Sequence, residues 1–143
     1  MNWEPLLAAA IAARSHSHSP YSRFAVGAAV ETASGEIFGG ANVENRSFGV
    51  TICAERSAFA AAVSAGHRKF RAVAVVTSTS PPSPPCGLCR ETMTEFCAPE
   101  TPIGLFFLVV DRRAVSLGDL FPEPFRLPSG EPSGASSRLS RRS

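Results

Sequence analysis

Three cysteines of this sequence are arranged as a metal-ligand set. Cys53 opens the segment Cys-Ala-Glu-Arg, and Cys86 and Cys89 form a Cys-x-x-Cys pair. Such a pair at the start of a helix can place both sulfurs on one ion, and helix N-terminal amides stabilise the thiolates that bind metal. Zinc prefers four ligands, so a site with three protein ligands leaves one position for water. The three cysteines therefore predict one zinc ion in a site that is open for catalysis.

Glu55 is the residue that could use such a water. It stands two residues after Cys53, near the predicted ion without being needed as a ligand. Zinc makes bound water more acidic, and a neighbouring carboxylate can take its proton and pass it on. Arg56 and Arg90 directly follow the two cysteine motifs, and their donors could draw off the negative charge of three thiolates on one dication. Arg56 is the stronger candidate for this tuning, because Arg90 alone is better explained as a surface helix residue.

A lone Cys-x-x-Cys pair is also typical of a structural zinc knuckle or of a redox pair. No fourth ligand stands at zinc-finger spacing, since Cys97 lies at least one helical turn beyond the pair. His16, His18 and His67 also have no metal-like spacing with the cysteine motifs. The combination of both motifs therefore favours hydrolytic chemistry at zinc over a structural metal.

The whole chain has the size and composition of one globular domain. It contains 143 residues, of which 44% are hydrophobic and 18% charged, with a formal net charge of +2. So small a charge gives no reason by itself to expect nucleic acid or a membrane as a partner. We expect one domain over residues 1–127, followed by a flexible basic tail over residues 128–143, where Ser, Gly, Pro and Arg are frequent.

An N-terminal export signal is not expected. The apolar stretch at residues 6–13 is preceded by Glu4 and Pro5 without Lys or Arg, and Arg14 ends it. No segment approaches the roughly 20 apolar residues that a membrane-spanning helix needs. Four cysteines without an export signal indicate metal binding or catalysis in a reducing compartment, so we expect a cytoplasmic location.

Hydrophobic periodicity and turn residues predict the elements that position the motifs. Two of the predicted strands are continuously apolar, which is typical of buried parallel strands, and an opening hairpin makes the sheet mixed. The sequence therefore predicts an α/β sandwich. Helices are expected at 2–15, 51–65, 87–96 and 116–121, and strands at 24–30, 36–41, 71–77 and 103–110.

Three further motifs accompany the two cysteine motifs. In chain order the five are Tyr-Ser-Arg-Phe-Ala-Val-Gly-Ala-Ala from Tyr21, Gly-Ala-Asn-Val-Glu-Asn from Gly40, Cys-Ala-Glu-Arg from Cys53, Pro-Cys-Gly-Leu-Cys-Arg from Pro85 and Asp-Leu-Phe-Pro-Glu-Pro-Phe from Asp119. With these motifs the sequence resembles the small, tetrameric cytidine deaminases of pyrimidine salvage, from about residue 21 to residue 125. The resemblance implies one zinc ion per subunit. It also implies the fold class α/β, as a three-layer α/β/α sandwich around a mixed sheet of about five strands.

The resemblance implies a substrate role for each matching position. Phe24 would pack on the pyrimidine ring, while Asn42 and Glu44 would hold the ribose hydroxyls. The backbone amide of Ala54 would contact the base, and Phe125 would reach the site of a neighbouring subunit. Without the resemblance, Phe24 would be interpreted as a core residue, and Asn42 and Glu44 as a solvated turn.

The implied reaction is the hydrolytic deamination of cytidine and deoxycytidine to uridine and deoxyuridine, with release of ammonia. Water activated by zinc would attack C4 of the base, and Glu55 would carry protons to N3 and to the leaving amino group. The implied partners are small nucleosides, and not nucleic acid or a membrane. Further copies of the chain would complete a homotetramer with shared active sites.

Three other functions fit the same zinc motifs. A polynucleotide deaminase is disfavoured, because the charge of Glu44 would repel chain phosphates and no aromatic and basic groove is evident. Deamination of an antibiotic such as blasticidin S is disfavoured by Phe24 and Asn42 together with Glu44. A zinc-stabilised binding protein that has lost activity is the non-enzymatic alternative.

Some positions depart from the usual pattern of the family. Phe48 stands where Tyr is usual, so one hydroxyl contact between subunits is missing. Glu91 replaces a common Gln, and Leu120-Phe121-Pro122 replaces Leu-Leu-Pro. The last two changes concern packing, and none of them touches the zinc motifs.

Overall fold

Helices and strands alternate along most of the chain, as the periodicity predicts. The computed structural model describes residues 1–108 and 110–128, so all of the predicted tail except Pro128 lies outside the described residues. The strands are β1 (Gly27–Thr32), β2 (Ile37–Ala41), β3 (Phe70–Thr77), β4 (Pro102–Phe107) and β5 (Asp111–Ser116). The helices are α1 (Glu4–Arg14), α2 (Ala54–Ser64), α3 (Gly87–Phe96) and α4 (Leu117–Leu120), with a 3-10 turn at Phe48–Val50. Within the described residues, no helix has the length and apolar content to cross a membrane.

The five strands form one mixed sheet in the order β2-β1-β3-β4-β5. β1 pairs antiparallel with both β2 and β3, β4 pairs antiparallel with β5, and β3 and β4 are parallel. The parallel pair consists of the two continuously apolar segments, and consecutive residues of β3 are buried because both faces of the sheet are covered. α3 lies in the crossover between β3 and β4. The predicted mixed sheet is confirmed.

Helices cover both faces of this sheet. On one face, apolar residues of α1 pack against small and branched residues of the central strands, namely Leu6, Leu7 and Ala10 with Ala29, Ala74 and Val76. On the other face, α2 and α3 contribute Phe59 and Met93 to a second core with Val73, Val75 and Leu105. The predicted three-layer α/β/α sandwich is therefore confirmed.

Two glycines let the helices lie directly on the strands. A Cβ atom at Gly27 would overlap the carbonyl oxygen of Ala10 and lie 2.6 Å from Cβ of Arg14. On the opposite face, a Cβ atom at Gly40 would overlap the amide of Ala58 and lie 2.8 Å from the carbonyl oxygen of Ala54. Because Ala54 begins α2, Gly40 fixes the position of the end of this helix that carries the first cysteine motif.

One strand was not predicted. The strand predicted at 103–110 ends at Phe107, and a turn containing Leu108 (φ 50°) leads into β5. β5 is an edge of the sheet with Arg112 and Arg113 exposed, so it carries no apolar alternation that a pattern search could detect. Charged residues on an edge strand also discourage pairing with other chains.

Substitution of Gly40 by Ala tests how closely α2 is seated. The added methyl group has no space beside Ala54 and Ala58, so we expect a loss of about 1–3 kcal/mol in the free energy of unfolding together with weaker zinc retention. Thermal unfolding and zinc content per chain would measure both effects. Gly49→Ala is the matched control, because a Cβ atom there meets nothing within 4 Å. Equal melting temperatures for the two variants would contradict the close packing.

Candidate active site

The first turns of two helices bring the three cysteines together. Cys53 is the N-cap residue of α2 (φ −72°, ψ 156°), and Cys86 is the N-cap residue of α3 (φ −71°, ψ 172°). Neither side chain makes a capping hydrogen bond, so both sulfurs are available for a ligand. Cys89 lies in the first turn of α3 and is fully buried. The extended conformation of Cys53 also explains why α2 begins at Ala54 rather than at residue 51 as predicted.

The distances between the sulfurs fit a zinc ion. The Sγ atom of Cys86 lies 3.6 Å from that of Cys53 and 3.6 Å from that of Cys89, and all three sulfurs are within 4.8 Å of one another. Tetrahedral ligands about 2.3 Å from zinc would stand roughly 3.8 Å apart. All three are free cysteines, and among the described residues no fourth His, Cys, Asp or Glu joins the group. The predicted cysteine set therefore forms a candidate metal site with room for a further ligand.

The thiols of Cys53 and Cys89 share a proton through a hydrogen bond. The pKa of Cys53 falls to about 5, because the Cys89 thiol donates a hydrogen bond to its sulfur and Arg56 adds a further donor and a positive charge. The pKa of Cys89 is raised, because that thiol serves as the donor and is buried. A metal ion replaces such shared protons, since it requires the deprotonated form of each ligand.

Glu55 is buried beside this cluster. Its side chain is 5% exposed in the first turn of α2. Burial raises the pKa of Glu55 to about 7, and the nearby Cys53 thiolate adds to the effect. A carboxyl group with such a pKa can both accept and donate a proton near neutral pH. The structure thus brings the predicted proton shuttle and the predicted zinc ligands together.

The two arginines after the cysteine motifs make different contacts. One terminal nitrogen of Arg56 donates to the carbonyl oxygen of Thr51 at 3.2 Å and lies 3.9 Å from Sγ of Cys53. Arg90 donates instead to the carbonyl oxygens of Pro85 at 2.9 Å and Leu120 at 2.7 Å. Arg56 thus places a donor near the Cys53 sulfur, whereas the described hydrogen bonds of Arg90 hold the start of α3 to the end of α4. A charge-tuning role for either arginine stays a prediction.

A cavity of about 270 Å³ opens beside the sulfur cluster. Its wall includes Glu55 and two of the cysteines, Cys53 and Cys86. The predicted substrate-binding positions of the same chain also line it, namely Phe24, Asn42, Glu44 and Ala54. Phe125 does not line this cavity and is 72% exposed, so any role of Phe125 in catalysis requires a second copy of the chain.

Asn42 holds the backbone of the cavity wall. Its Oδ1 atom accepts hydrogen bonds from the amide of Val26 at 2.9 Å and from the hydroxyl of Ser17. Its Nδ2 atom donates to the carbonyl oxygen of Phe24 at 2.8 Å. These bonds tie residues 24–26 to the segment after β2, ahead of β1, which begins at Gly27 rather than at residue 24 as predicted. The predicted contact of Asn42 with a ribose stays a prediction.

The pattern of residues did not single out several hydroxyl groups that line the cavity. They belong to Ser22, Thr51, Thr77 and Ser83. Ser22 is part of a motif that was recognised, but nothing in its spacing distinguishes it from a loop serine. Thr77 and Ser83 are linked through Thr79, with Oγ1–Oγ1 and Oγ1–Oγ distances of 3.0 and 2.7 Å. Only the folded chain brings these residues to one wall.

Comparisons with known proteins agree with this geometry. Residues 2–105 match the family described as the cytidine and deoxycytidylate deaminase zinc-binding region. The chain is 44% identical over 125 residues to a cytidine deaminase of Halalkalibacterium halodurans, which covers 87% of this chain and 95% of the relative. A crystal structure of cytidine deaminase from Burkholderia pseudomallei is similar with a TM-score of 0.83 at 46% identity, covering 87% of this chain and 100% of that one. A crystal structure of cytidine deaminase from Mycobacterium tuberculosis is similar with a TM-score of 0.77 at 38% identity. That match covers 89% of this chain and 99% of the other.

The chain therefore belongs to the cytidine and deoxycytidylate deaminase family. Together with the spacing of the sulfurs, the match to a zinc-binding region confirms zinc as the predicted cofactor. The roles of individual substrate-binding residues stay predictions at this point.

Thiol labelling tests the ligand set. In the zinc-loaded protein we expect all four cysteines to resist alkylation. After removal of zinc by a chelator, Cys86 and Cys53 should react first because they are accessible, and the buried Cys89 should follow. Cys97 should react only on unfolding, since it is 3% exposed and burial raises its pKa to about 12. Mass spectrometry of the labelled peptides and the zinc released would measure the order.

A matched pair of variants completes this test. Cys97→Ala should retain one zinc ion per chain, whereas Cys53→Ala should lose it, because two thiolates hold zinc far less tightly than three. Labelling of Cys97 immediately after zinc removal, with Cys86 still protected, would show that the ligand set is wrong.

Proposed function

We propose that this chain catalyses the hydrolytic deamination of cytidine and 2′-deoxycytidine to uridine and deoxyuridine, with release of ammonia. The observation that supports this most strongly is the position of Glu55. In a chain of the deaminase family, this buried carboxylate lines the same cavity as Cys53 and Cys86 of the sulfur cluster. The names of the relatives and the geometry of the site both favour hydrolysis at a base over a structural use of the metal.

Zinc held by the three cysteines would supply a water that loses a proton near neutral pH. Glu55 would accept that proton, hold it within the buried first turn of α2, and deliver protons to N3 and to the leaving amino group of the base. Burial suits this work, because a carboxyl group shielded from solvent does not exchange its proton with bulk water at each step.

The remaining wall of the cavity supports a base and a sugar as its contents. Phe24, Val26 and Val75 offer apolar surface for a pyrimidine ring. Ala54 is the first residue of α2, and the first amides of a helix have no partner within the helix, so its N–H can donate to a base. Glu44 places a carboxylate on the same wall, where sugar hydroxyls can donate to it.

An exposed apolar surface next to the cavity supports the predicted homotetramer. Phe48 is 73% exposed and its ring contacts that of Tyr21, with 5.9 Å between the ring centroids. Val50 and Ile52 extend this exposed surface along the chain. Such patches usually mark protein interfaces. We name Tyr21, Phe48, Val50 and Ile52 the aromatic patch.

The aromatic patch adjoins the cavity, because Ser22, Glu44 and Thr51 line both the cavity and the shallow depression in front of Phe48. A second copy of the chain that covers this patch would border the cavity, and the exposed Phe125 is free to make the contact that the resemblance implies. The proposed partners are therefore nucleosides and further copies of the chain, with no nucleic acid or membrane. The need to keep three cysteines reduced supports the cytoplasm as the location.

Substitution of Glu55 by Gln tests the proton shuttle. The amide has the same shape but cannot take up or release the proton, so we expect unchanged zinc content and a loss of about 10³-fold in kcat. Ammonia release from cytidine, 2′-deoxycytidine, blasticidin S and single-stranded DNA would be measured with and without a chelator. Glu91→Gln is the control, because this exposed carboxylate of α3 lies outside the cavity.

We expect turnover of the two nucleosides and none of the polymer. Near wild-type turnover by the Glu55→Gln variant would refute the shuttle. A zinc-loaded wild-type protein without turnover on any of the four compounds would instead identify a binding protein that has lost activity.

Substitution of Phe48 by Glu tests the assembly. A charge in the aromatic patch would have to be buried at a subunit interface, so we expect dissociation to smaller species and at least about a tenfold loss of kcat/KM. Light scattering coupled to gel filtration would give the mass, alongside the activity of each peak. Phe48→Tyr keeps the ring and should leave the assembly intact. A fully active monomer would remove the proposed roles of the aromatic patch and of Phe125.

A further inference from the structure

The hydroxyl group of Ser22 lies between the two parts of the cavity that would meet the sugar and the base. Its Oγ atom accepts a hydrogen bond from the amide of Phe24 at 3.0 Å. Because an amide can only donate, the hydroxyl proton of Ser22 is left for the Oε2 atom of Glu44, to which it is hydrogen-bonded. All three residues line the cavity. Ser22 thus joins the carboxylate on one wall to the backbone of the aromatic residue on the other.

The acceptor positions of Glu44 are almost filled by this loop. An ionised carboxylate has about four acceptor positions, two on each oxygen. Oε1 accepts from the amides of Tyr21 at 3.0 Å and Ser22 at 3.1 Å, and Oε2 accepts from the Ser22 hydroxyl. One acceptor position is left, and it lies on Oε2. The hydrogen bond from Ser22 also lowers the pKa of Glu44, which keeps the carboxylate ionised as an acceptor.

The backbone holds Ser22 in this position. Arg23, the next residue, adopts a left-handed conformation (φ 60°), which is uncommon for a residue with a side chain. Its amide donates to the carbonyl oxygen of Ser19 at 2.9 Å, closing a turn over residues 19–23. Ser22 and Phe24, the residues on either side of Arg23, both line the cavity.

We infer that Ser22 is a positioning residue for sugar recognition: it orients the carboxylate of Glu44 so that one acceptor position on Oε2 receives a single sugar hydroxyl. Ser22 acts through Glu44 and touches neither the zinc site nor the reacting atoms of the base. Its role rests on the proposed function of Glu44, since only a carboxylate that binds the sugar needs to be oriented toward it.

Two substrates that differ only in a sugar hydroxyl separate this role from a general one. 2′-Deoxycytidine can donate a sugar 3′-hydroxyl, whereas 2′,3′-dideoxycytidine has neither sugar hydroxyl on that side of the ring. Loss of the Ser22 hydroxyl should therefore weaken binding of the first substrate and leave the second unchanged. If Ser22 only held the Phe24 backbone, both substrates would be affected equally.

Steady-state kinetics of Ser22→Ala on both nucleosides tests the inference. We expect KM for 2′-deoxycytidine to rise about tenfold, the loss associated with one hydrogen bond to a charged group, while kcat stays within about twofold. KM for 2′,3′-dideoxycytidine should stay within about twofold of the wild-type value. Ser22→Thr keeps the hydroxyl and should restore KM. Ser64→Ala, an exposed position of α2 outside the cavity, should leave both substrates unaffected.

The Glu44→Gln variant separates failure of the inference from failure of the proposed site. It should itself raise KM for 2′-deoxycytidine, and in its background Ser22→Ala should add less than about twofold. If Glu44→Gln raises KM but Ser22→Ala does not, the role of Ser22 is overturned and that of Glu44 stands. If neither variant changes KM, the assignment of Glu44 to the sugar is overturned as well. An equal loss on both substrates, or a loss of zinc and of the melting transition in Ser22→Ala, would show that Ser22 serves only the loop.

Discussion

The structure depends on three sulfurs held within 4.8 Å of one another at the ends of two helices. As thiolates they repel one another, and only a cation between them makes that spacing favourable. The fold supplies the spacing from both sides, because Gly40 lets α2 lie directly on β2 and α3 lies in the crossover that follows β3. Any shift of either helix would separate the ligands. Metal binding therefore depends directly on the close packing of the helices against the sheet.

The position of Glu55 depends on the same packing of α2 against the sheet. Glu55 stands two positions after the N-cap Cys53, in the first turn of α2, where it is buried and lines the cavity beside the cluster. A carboxylate is costly to bury, and the cost appears here as a raised pKa. What is unfavourable for stability is useful for moving protons, because the group can hold a proton at neutral pH that an exposed glutamate would release. Stability is thus exchanged for reactivity at this one position.

The residue pattern predicted the three cysteine ligands but did not single out Ser22, for a physical reason. The predicted helix at 87–96 has the bounds of α3, because no helix can run through the prolines at 81, 82, 84 and 85 that precede it. The two ligands of one helical turn are only three residues apart, so a short sequence motif is enough to predict that they lie together. Ser22 is different: its partner Glu44 is 22 residues away, and no short-range pattern encodes that hydrogen bond. The edge strand β5 was not predicted, because its exposed arginines interrupt the alternation of apolar and polar residues by which a strand is recognised in a sequence.

The two sides of the site meet on one short piece of chain. Gly40 lies at the end of β2, and Val43 continues the extended conformation by bridging to both His18 and Ile52. In an extended chain every second residue points to the same side. Three alternate residues of this segment therefore lie on one side, namely Gly40, Asn42 and Glu44. Gly40 leaves room for the start of α2, next to Cys53 and Glu55. Asn42 and Glu44 hold the loop that forms the opposite wall of the cavity through hydrogen bonds. A shift in the register of this segment by one residue would displace the metal ligands and the opposite cavity wall together. The backbone, rather than any flexible side chain, therefore sets the distance between the cysteine cluster and that wall.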